Sequence, residues 1–449
     1  MKLTFCGGVG MVTGSNFLLE DGTTKFLVDC GLVQGDARHE ALNWEKFPYD
    51  ASEIGRLAVT HAHIDHIGRI PKLVRDGFRG EIISTEATRE LAEPMLMDSM
   101  HLLKEVAEHH GRPILYDEKD IAEVLRLWRG VSYHEAVSLP NNISLQFLRA
   151  GHILGAGLAK FSRNGRSIVF TGDLGSHSEL LEPAEAPEGA TYLVMESVYG
   201  DRLHDESESR IDSLMRVVEG AVKRGGTLLI PAFSTERTQD LLFDLRELRE
   251  AKKNPDVPVF LDSPLAIKVT RVFGSSAPYL KPEIATRLSA GEDVFSFPGL
   301  RITESAEESR HIDAVPNPKI ILAGSGMSSG GRVLSYEREI LPDKRSTVCI
   351  VGYQSVSSLG RRLMDGAKTV EIQGKKVPVH AHLEQILSYS AHMDSRELVQ
   401  FAEEAGKPEK IFVVMGEPAS SSFLAQRIRD YLGADARVPE ARESVEIEL

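Results

Sequence analysis

The chain has 449 residues, 42% hydrophobic and 26% charged, a globular composition with length for about two to four domains. Its 52 lysines and arginines against 66 aspartates and glutamates give a formal charge of −14, which excludes a protein that grips nucleic acid through overall charge alone. No apolar run approaches the roughly 20 residues of a bilayer span, glycines interrupt the N-terminus before any signal-peptide apolar region, and Cys6, Cys30 and Cys349 show no paired spacing, so membrane and disulfide-framework classes are set aside and a reduced, cytoplasmic compartment is expected.

Strands are expected over residues 2–6, 15–19 and 24–29, with Gly7, Gly8, Gly10 and Gly14 marking tight backbone between the first two. The third strand ends on Asp29-Cys30-Gly31. Asp29 reads equally well as a turn former and as a carboxylate that orients a metal-bound imidazole. The apolar run 57–59 then leads into Thr60-His61-Ala62-His63-Ile64-Asp65-His66. If that run is a strand, His61 and His63 leave its end pointing the same way, and Asp65 and His66 follow in a turn before a helix near Ile67 and Gly68. Imidazoles with a carboxylate at a strand end suit Zn²⁺ or a similar cation. Clustered histidines in a polar loop are the plainer alternative, which the H-x-H-x-D-H spacing disfavours.

Strands and helices alternate beyond this stretch. A strand is expected at 81–84, helices at 88–108 and 121–128, and strands at 143–148, 158–162 and 167–171. His101, His109 and His110 read as surface or core histidines. His152, in a glycine-flanked loop, and Asp173, at a strand end, would each be a turn residue if alone. Beside the histidine stretch they complete a two-metal set that needs a bridging carboxylate and a further imidazole. The strand 192–195 again ends on a carboxylate, in Glu196-Ser197-Val198-Tyr199-Gly200-Asp201-Arg202.

From about residue 203 the texture is α/β, with helices at 207–224 and 236–252 and strands at 227–231, 259–261, 319–323 and 347–352. The strand at 319–323 enters Gly324-Ser325-Gly326-Met327-Ser328-Ser329-Gly330-Gly331-Arg332. Such a loop can cradle phosphate with backbone N–H groups, and close packing at a domain seam explains it equally well. Arg361, Arg362 and Lys368 form a modest basic cluster that reads first as a solvated helix face. Strands are expected at 369–372, 376–381 and 411–415, with Ser390-Ala391-His392-Met393-Asp394 leading into a helix capped by Asp394 or Ser395.

Taken together, V-D-C-G at Asp29, the H-x-H-x-D-H stretch, His152, Asp173, E-S-V-Y-G-D-R at Glu196 and S-A-H-M-D at His392 resemble the metallo-β-lactamase-fold nucleases of the β-CASP group. Ribonuclease J and the cleavage-and-polyadenylation endonucleases are among them. L-D-S-P-L-A at 261–266, G-S-G-M at 324–327 and L-G-R at 359–361 resemble that group's middle domain. The resemblance implies an αββα sandwich built from residues 1–204 and 369–449, an α/β β-CASP domain inserted at 205–368, an active site in the cleft, and no added RNA-binding module. It implies two zinc ions, one on His61, His63 and His152 and one on Asp65 and His66, with Asp173 bridging and Asp29 orienting a ligand histidine. Asp65, Glu196 and His392 are the implied catalytic residues, His392 as general acid with Glu196 as its orienter. The implied reaction is hydrolysis of single-stranded RNA by a metal-bridging hydroxide, leaving a 5′-phosphate and a 3′-hydroxyl. Ser325, Arg332 and Arg361 would contact the RNA. Mn²⁺ is the alternative metal, and a homodimer or a pairing with a related nuclease the expected assembly.

The sequence departs from that pattern at two places. Val413-Val414-Met415-Gly416-Glu417-Pro418 carries methionine where relatives usually have a metal-binding histidine. A thioether is a poor partner for zinc beside oxygen and imidazole ligands, so Met415 is expected to pack and the second metal to bind more weakly. Water fills the position better than His380 or His382, candidates that share a strand face. Glu236 stands where relatives often have a small residue, which would put negative charge near the RNA path. Two rival readings follow: a catalytically weakened scaffold that partners an active relative, favoured by Met415, and a small-molecule ester or thioester hydrolase, opposed by the large insertion.

Overall fold

The computed structural model describes every residue except 36, 176–177, 205–208, 254, 329, 353 and 355–357. The chain divides into two compact units, Met1–Leu203 with His392–Leu449, and His204–Ala391.

The first unit is built on two seven-stranded sheets. In one, Ser444–Glu446, Lys2–Phe5, Phe17–Asp21 and Thr24–Val28 run antiparallel, and Arg56–Ala58, Glu81–Thr85 and Trp128–Val131 continue in parallel. In the other, Ala436–Arg437, Lys410–Val413, Tyr192–Met195 and Arg166–Phe170 are parallel, and Gly157–Arg163, Ile143–Arg149 and Val137–Leu139 complete it antiparallel. Alternation along Ile143–Arg149, buried at every second residue over most of its length, turns one face inward. The inward faces meet in one core in which each sheet supplies phenylalanines: Phe5 lies 5.2 Å from Phe412, Phe17 5.6 Å from Phe170 and Phe26 6.1 Å from Phe161, centroid to centroid. Helices Glu86–His110 and Glu118–Leu127 pack on the first sheet, and Pro418–Leu432 on the second, giving the expected αββα layering.

The second unit carries a six-stranded sheet in the order Leu300–Ile302, Val259–Asp262, Lys319–Ala323, Thr227–Pro231, Thr347–Val351, His382–Ile386, parallel throughout. Its four central strands are buried at every position, as a parallel sheet covered on both faces requires. A hairpin of Thr369–Ile372 and Lys375–Pro378 lies beside it in the chain.

Several expectations shift. The sequence reading returns the chain to the first unit at 369, but residues 369–391 belong to the second. His382–Ile386, which no periodicity marked as a strand, pairs with Thr347–Val351 and carries the segment with it. Asp65 and His66 sit within a short helix, Ile64–Ile67, rather than in a turn before one. The helix expected from 207 is observed from Arg210 to Arg224 behind the N-cap Ser209; residues 207–208 lie outside the described residues, as does Ser329 of the glycine-serine loop. Glu236 is buried, not displayed to solvent, and has φ +66° and ψ −58°. Arg237 donates its N–H to the Thr235 carbonyl at 2.9 Å across it, a γ-turn that a residue without Cβ would enter more easily. No helix among the described residues is long and apolar enough to cross a membrane.

Glu337 in the second unit is fully buried and accepts a hydrogen bond from Ser328 Oγ, and burial pushes its carboxyl from 4.5 up to about 7. The folded unit therefore keeps a proton that the unfolded chain releases, so this contribution to stability is whole below the unfolded value and is lost as pH rises through the folded one. At about 1.4 kcal/mol per pH unit the loss is roughly 3 kcal/mol. Glu337→Gln is expected to raise the urea midpoint of the second unit at about pH 8, and far less at about pH 5.

Candidate metal centre

Most of the ligand-type residues of the first unit stand on segments that leave strand ends, and these segments are tied together by backbone hydrogen bonds. Asp29 N–H donates to the Ala58 carbonyl at 2.9 Å, Cys30 N–H to His66 at 2.8 Å, Gly157 N–H to Thr60 at 2.8 Å, Gly175 N–H to Ala150 at 2.8 Å and Met393 N–H to Leu174 at 2.9 Å. These ties bring residues 29–31, 60–66, 150–157, 172–175 and 392–393 to one edge of the sandwich.

Four atoms converge there. His63 Nδ1 lies 3.1 Å from His61 Nε2 and 3.1 Å from His152 Nε2. Asp173 Oδ2 lies 3.6 Å from His61 Nε2 and 3.4 Å from His152 Nε2. A tetrahedral cation with bonds of about 2.0–2.1 Å separates its ligand atoms by about 3.3 Å, so the four are spaced as ligands of one ion. The other oxygen of the same carboxylate, Asp173 Oδ1, lies 3.4 Å from His66 Nε2, which is 3.8 Å from Asp65 Oδ2. His61, His63, His152 and Asp173 thus form one group that could hold a cation, and Asp65, His66 and Asp173 a second. His66 Nε2 and Asp173 Oδ1 are buried and make no hydrogen bond. Buried polar atoms without partners are costly in a protein interior, and a cation between them would satisfy both. The donor set fits a divalent ion of the zinc type.

The charges support this. Burial holds the His61 imidazole well below its usual pKa. At His66 burial acts in the same direction, but Asp173, Asp29 and Asp65 outweigh it and raise the imidazole well above its usual value. Burial, with the neighbouring Asp173, pushes Asp65 up to about 6. Burial would raise Asp173 too, yet His66, His61 and His152 hold it well below the carboxylate range. The field at His66 attracts positive charge, whether a proton or a metal ion.

Asp29 stands behind His66. Its Oδ2 accepts from His66 Nδ1 at 2.7 Å and from Ser15 Oγ at 2.9 Å, and its Oδ1 accepts the Thr60 N–H at 2.8 Å. The sequence reading named Asp29 but missed Thr60 and Ser15. Neither hydroxyl carries a local signal, because what it touches is fixed by chain segments far away.

Beside the two ligand groups, His392 Nδ1 lies 3.0 Å from Glu196 Oε1. Glu196 also accepts the Leu174 N–H on Oε1 at 2.7 Å and the Val198 N–H on Oε2 at 3.1 Å. Its pKa is raised, chiefly by burial and partly offset by His392. Asp173, Glu196 and His392 are themselves close enough to hold an ion, but backbone amides already occupy both Glu196 oxygens, which suits an orienting carboxylate better than a ligand.

Met415 does not reach toward a cation. It is buried in the core cluster with Phe5, Phe17 and Phe412, donates its N–H to the Gly8 carbonyl at 2.6 Å, and its sulfur lies 2.5 Å from where a Cβ on Gly8 would stand. His380 and His382 are exposed residues of the second unit and join neither ligand group. Ser325, Arg332 and Arg361 also belong to the second unit. There Arg332 is ion-paired with Asp262, a buried carboxylate that also takes the Thr303, Ser309 and Tyr336 hydroxyls at 2.6 Å each, and Arg361 pairs with Asp365 at 3.0 Å.

Residues 9–252 match the metallo-beta-lactamase superfamily, residues 238–363 the Beta-Casp domain, and residues 376–439 the Zn-dependent metallo-hydrolase RNA specificity domain. The chain is 33% identical over 418 residues to Ribonuclease TTHA0252 of Thermus thermophilus, with 93% of each chain covered. It is 29% identical to Transcription termination factor FttA of Methanosarcina mazei, over all of this chain and 72% of that one. The Pyrococcus abyssi protein of the same name is 30% identical, with 71% of its length covered. A crystal structure of a protein of unknown function from Enterococcus faecalis V583 superposes with a TM-score of 0.59 at 13% identity over 99% of both chains, a likeness of fold alone.

Proposed function

Because this chain belongs to the β-CASP group of the metallo-β-lactamase superfamily, we propose that it is a zinc-dependent ribonuclease that hydrolyses phosphodiester bonds of single-stranded RNA to a 5′-phosphate and a 3′-hydroxyl. The observation that carries this reading is Asp173, one oxygen toward the three histidines and the other toward His66, beside the Glu196–His392 pair. His61, His63 and His152 would hold one cation, Asp65 and His66 the other, and Asp173 both. Two divalent cations at these positions would bring the pKa of a water near neutrality and offset charge growing on a phosphoryl group.

This chain's own residues do the rest. Glu196, pinned by the Leu174 and Val198 amides, accepts from His392 Nδ1 and sets the ring so that its other nitrogen can give a proton to the departing ribose oxygen. Asp29 holds His66 in the tautomer whose Nε2 lone pair faces Asp65 and Asp173. Arg332 and Arg361, each in an ion pair, would meet RNA phosphates only by sharing or exchanging those partners.

The test is incubation of a 5′-labelled single-stranded RNA with the full chain under titrated Zn²⁺ and Mn²⁺, with end-group analysis of the products. Cleavage to 5′-phosphate and 3′-hydroxyl ends upholds the reading. Intact RNA beside rapid turnover of a small chromogenic ester would overturn it. Since Met415 packs where a further imidazole is usual, the two cations are expected to bind in separate phases, the one on Asp65 and His66 more weakly. Metal analysis after purification at low zinc should return nearer one ion per chain than two; two tightly held ions would contradict this.

A further inference from the structure

We infer that Thr60 is a positioning residue that lets the single carboxylate of Asp29 set the tautomer of a ligand histidine in each cation group at once: His66 directly, and His61 through the Thr60 hydroxyl. This rests on the reading of those histidines as cation ligands.

Proton counting carries the argument. Thr60 Oγ1 lies 2.9 Å from Asp29 Oδ2, 3.1 Å from Asp29 Oδ1, 3.1 Å from His61 Nδ1 and 3.3 Å from His66 Nδ1. A hydroxyl has one proton and two lone pairs, and a carboxylate only accepts. The Thr60 proton therefore goes to Asp29, and toward both imidazoles the oxygen is left as an acceptor. His66 Nδ1, 2.7 Å from Asp29 Oδ2, must donate. His61 Nδ1 must likewise donate to Thr60. His61 then carries its hydrogen on Nδ1 and turns a bare Nε2 toward Asp173 at 3.6 Å, while His66, its Nδ1 hydrogen held by Asp29, leaves Nε2, 3.4 Å from Asp173, as the nitrogen that takes a cation or, without one, a proton. Were the Thr60 proton directed at His61 instead, the His61 hydrogen would move to Nε2 and its lone pair for a cation would be lost.

The surroundings are built to hold this arrangement. Asp29 has φ +55° although it is not glycine, a conformation costing about 1–2 kcal/mol that persists where surrounding bonds impose it. Gly172 has φ +55°, and a Cβ there would stand 2.6 Å from Thr60 Oγ1. The residue before the bridging Asp173 must therefore lack a side chain for the Thr60 hydroxyl to fit. Thr60 itself is 1% exposed, so no solvent competes for its proton.

The experiment compares the wild-type chain with Thr60→Val, which keeps the shape and removes the hydroxyl, and Thr60→Ser, which keeps the hydroxyl. Zn²⁺ affinity is read by competition with a chromophoric chelator, and the His61 tautomer by ¹⁵N NMR of the metal-free, histidine-labelled chain. Thr60→Val is expected to weaken the tighter Zn²⁺ site by about 10–100-fold, the usual cost of losing an outer partner of a metal ligand, and to lose the single Nδ1–H form of His61. Thr60→Ser should match the wild type in both. Wild-type affinity and tautomer in Thr60→Val would overturn the inference, as would a loss in Thr60→Ser equal to that in Thr60→Val. If the wild type binds no cation, the metal reading falls by itself, and the tautomer comparison in the metal-free chains still decides the relay.

Discussion

Asp173→Ala is expected to abolish RNA cleavage and to weaken both cations together, by more than the roughly 10–100-fold that loss of an outer-shell partner costs. Asp173 is the one ligand-type residue shared by the two groups, with Oδ2 facing His61 and His152 and Oδ1 facing His66. Removing it takes an acceptor from each group in one step. It also removes the carboxylate that, with Asp29 and Asp65, keeps positive charge favourable at His66. Asp173→Asn sharpens the test, because the amide keeps the volume and one oxygen. It is expected to spare one cation in part while cleavage still fails, since its NH₂ must face one of the two groups. Metal content and RNA cleavage measured on the same preparations check this. Two ions retained at wild-type affinity in Asp173→Ala would remove the bridging role.

His392→Ala is expected to lower kcat for RNA cleavage by about 10²–10⁴, the usual contribution of a general acid, while leaving bound metal unchanged. His392 is partly exposed and belongs to neither the three-histidine group nor the Asp65–His66 group; its ring nitrogen rests on Glu196, whose oxygens are filled by amides. Glu196→Gln should lose less than His392→Ala, because an amide still offers one acceptor but sets an NH₂ against a backbone N–H. Combined with His392→Ala it should cost almost nothing more, as expected for residues acting as one unit. Fully additive losses would show that Glu196 works by another route. Metal loss in His392→Ala would move that histidine into the ligand set.

How far the sequence reaches can be read at particular residues. H-x-H-x-D-H is legible as a candidate cation group because its chemistry is local: ligand types within one short stretch suit a cation whatever the distant chain does. Asp173 and Glu196 are legible as strand-end residues and His152 as a histidine in a glycine-flanked loop, and the αββα and parallel α/β layers follow from alternation in one unit and continuous apolar runs in the other. What stayed hidden depends on segments that meet only on folding. That His63 offers Nδ1 while His61 and His152 offer Nε2 follows from how two loops approach. Thr60 looks like any strand-end threonine until Asp29 is brought within 3 Å of it. His382–Ile386 lacks a strand pattern of its own and is a strand because Thr347–Val351 presents an open edge. Sequence by itself determined which side chains are available to the chemistry, since that is a property of residue type and spacing. Only the tertiary structure decided which atom of each faces its neighbour and where each proton sits, because hydrogen bonds are set by distance and direction between segments the chain order keeps apart.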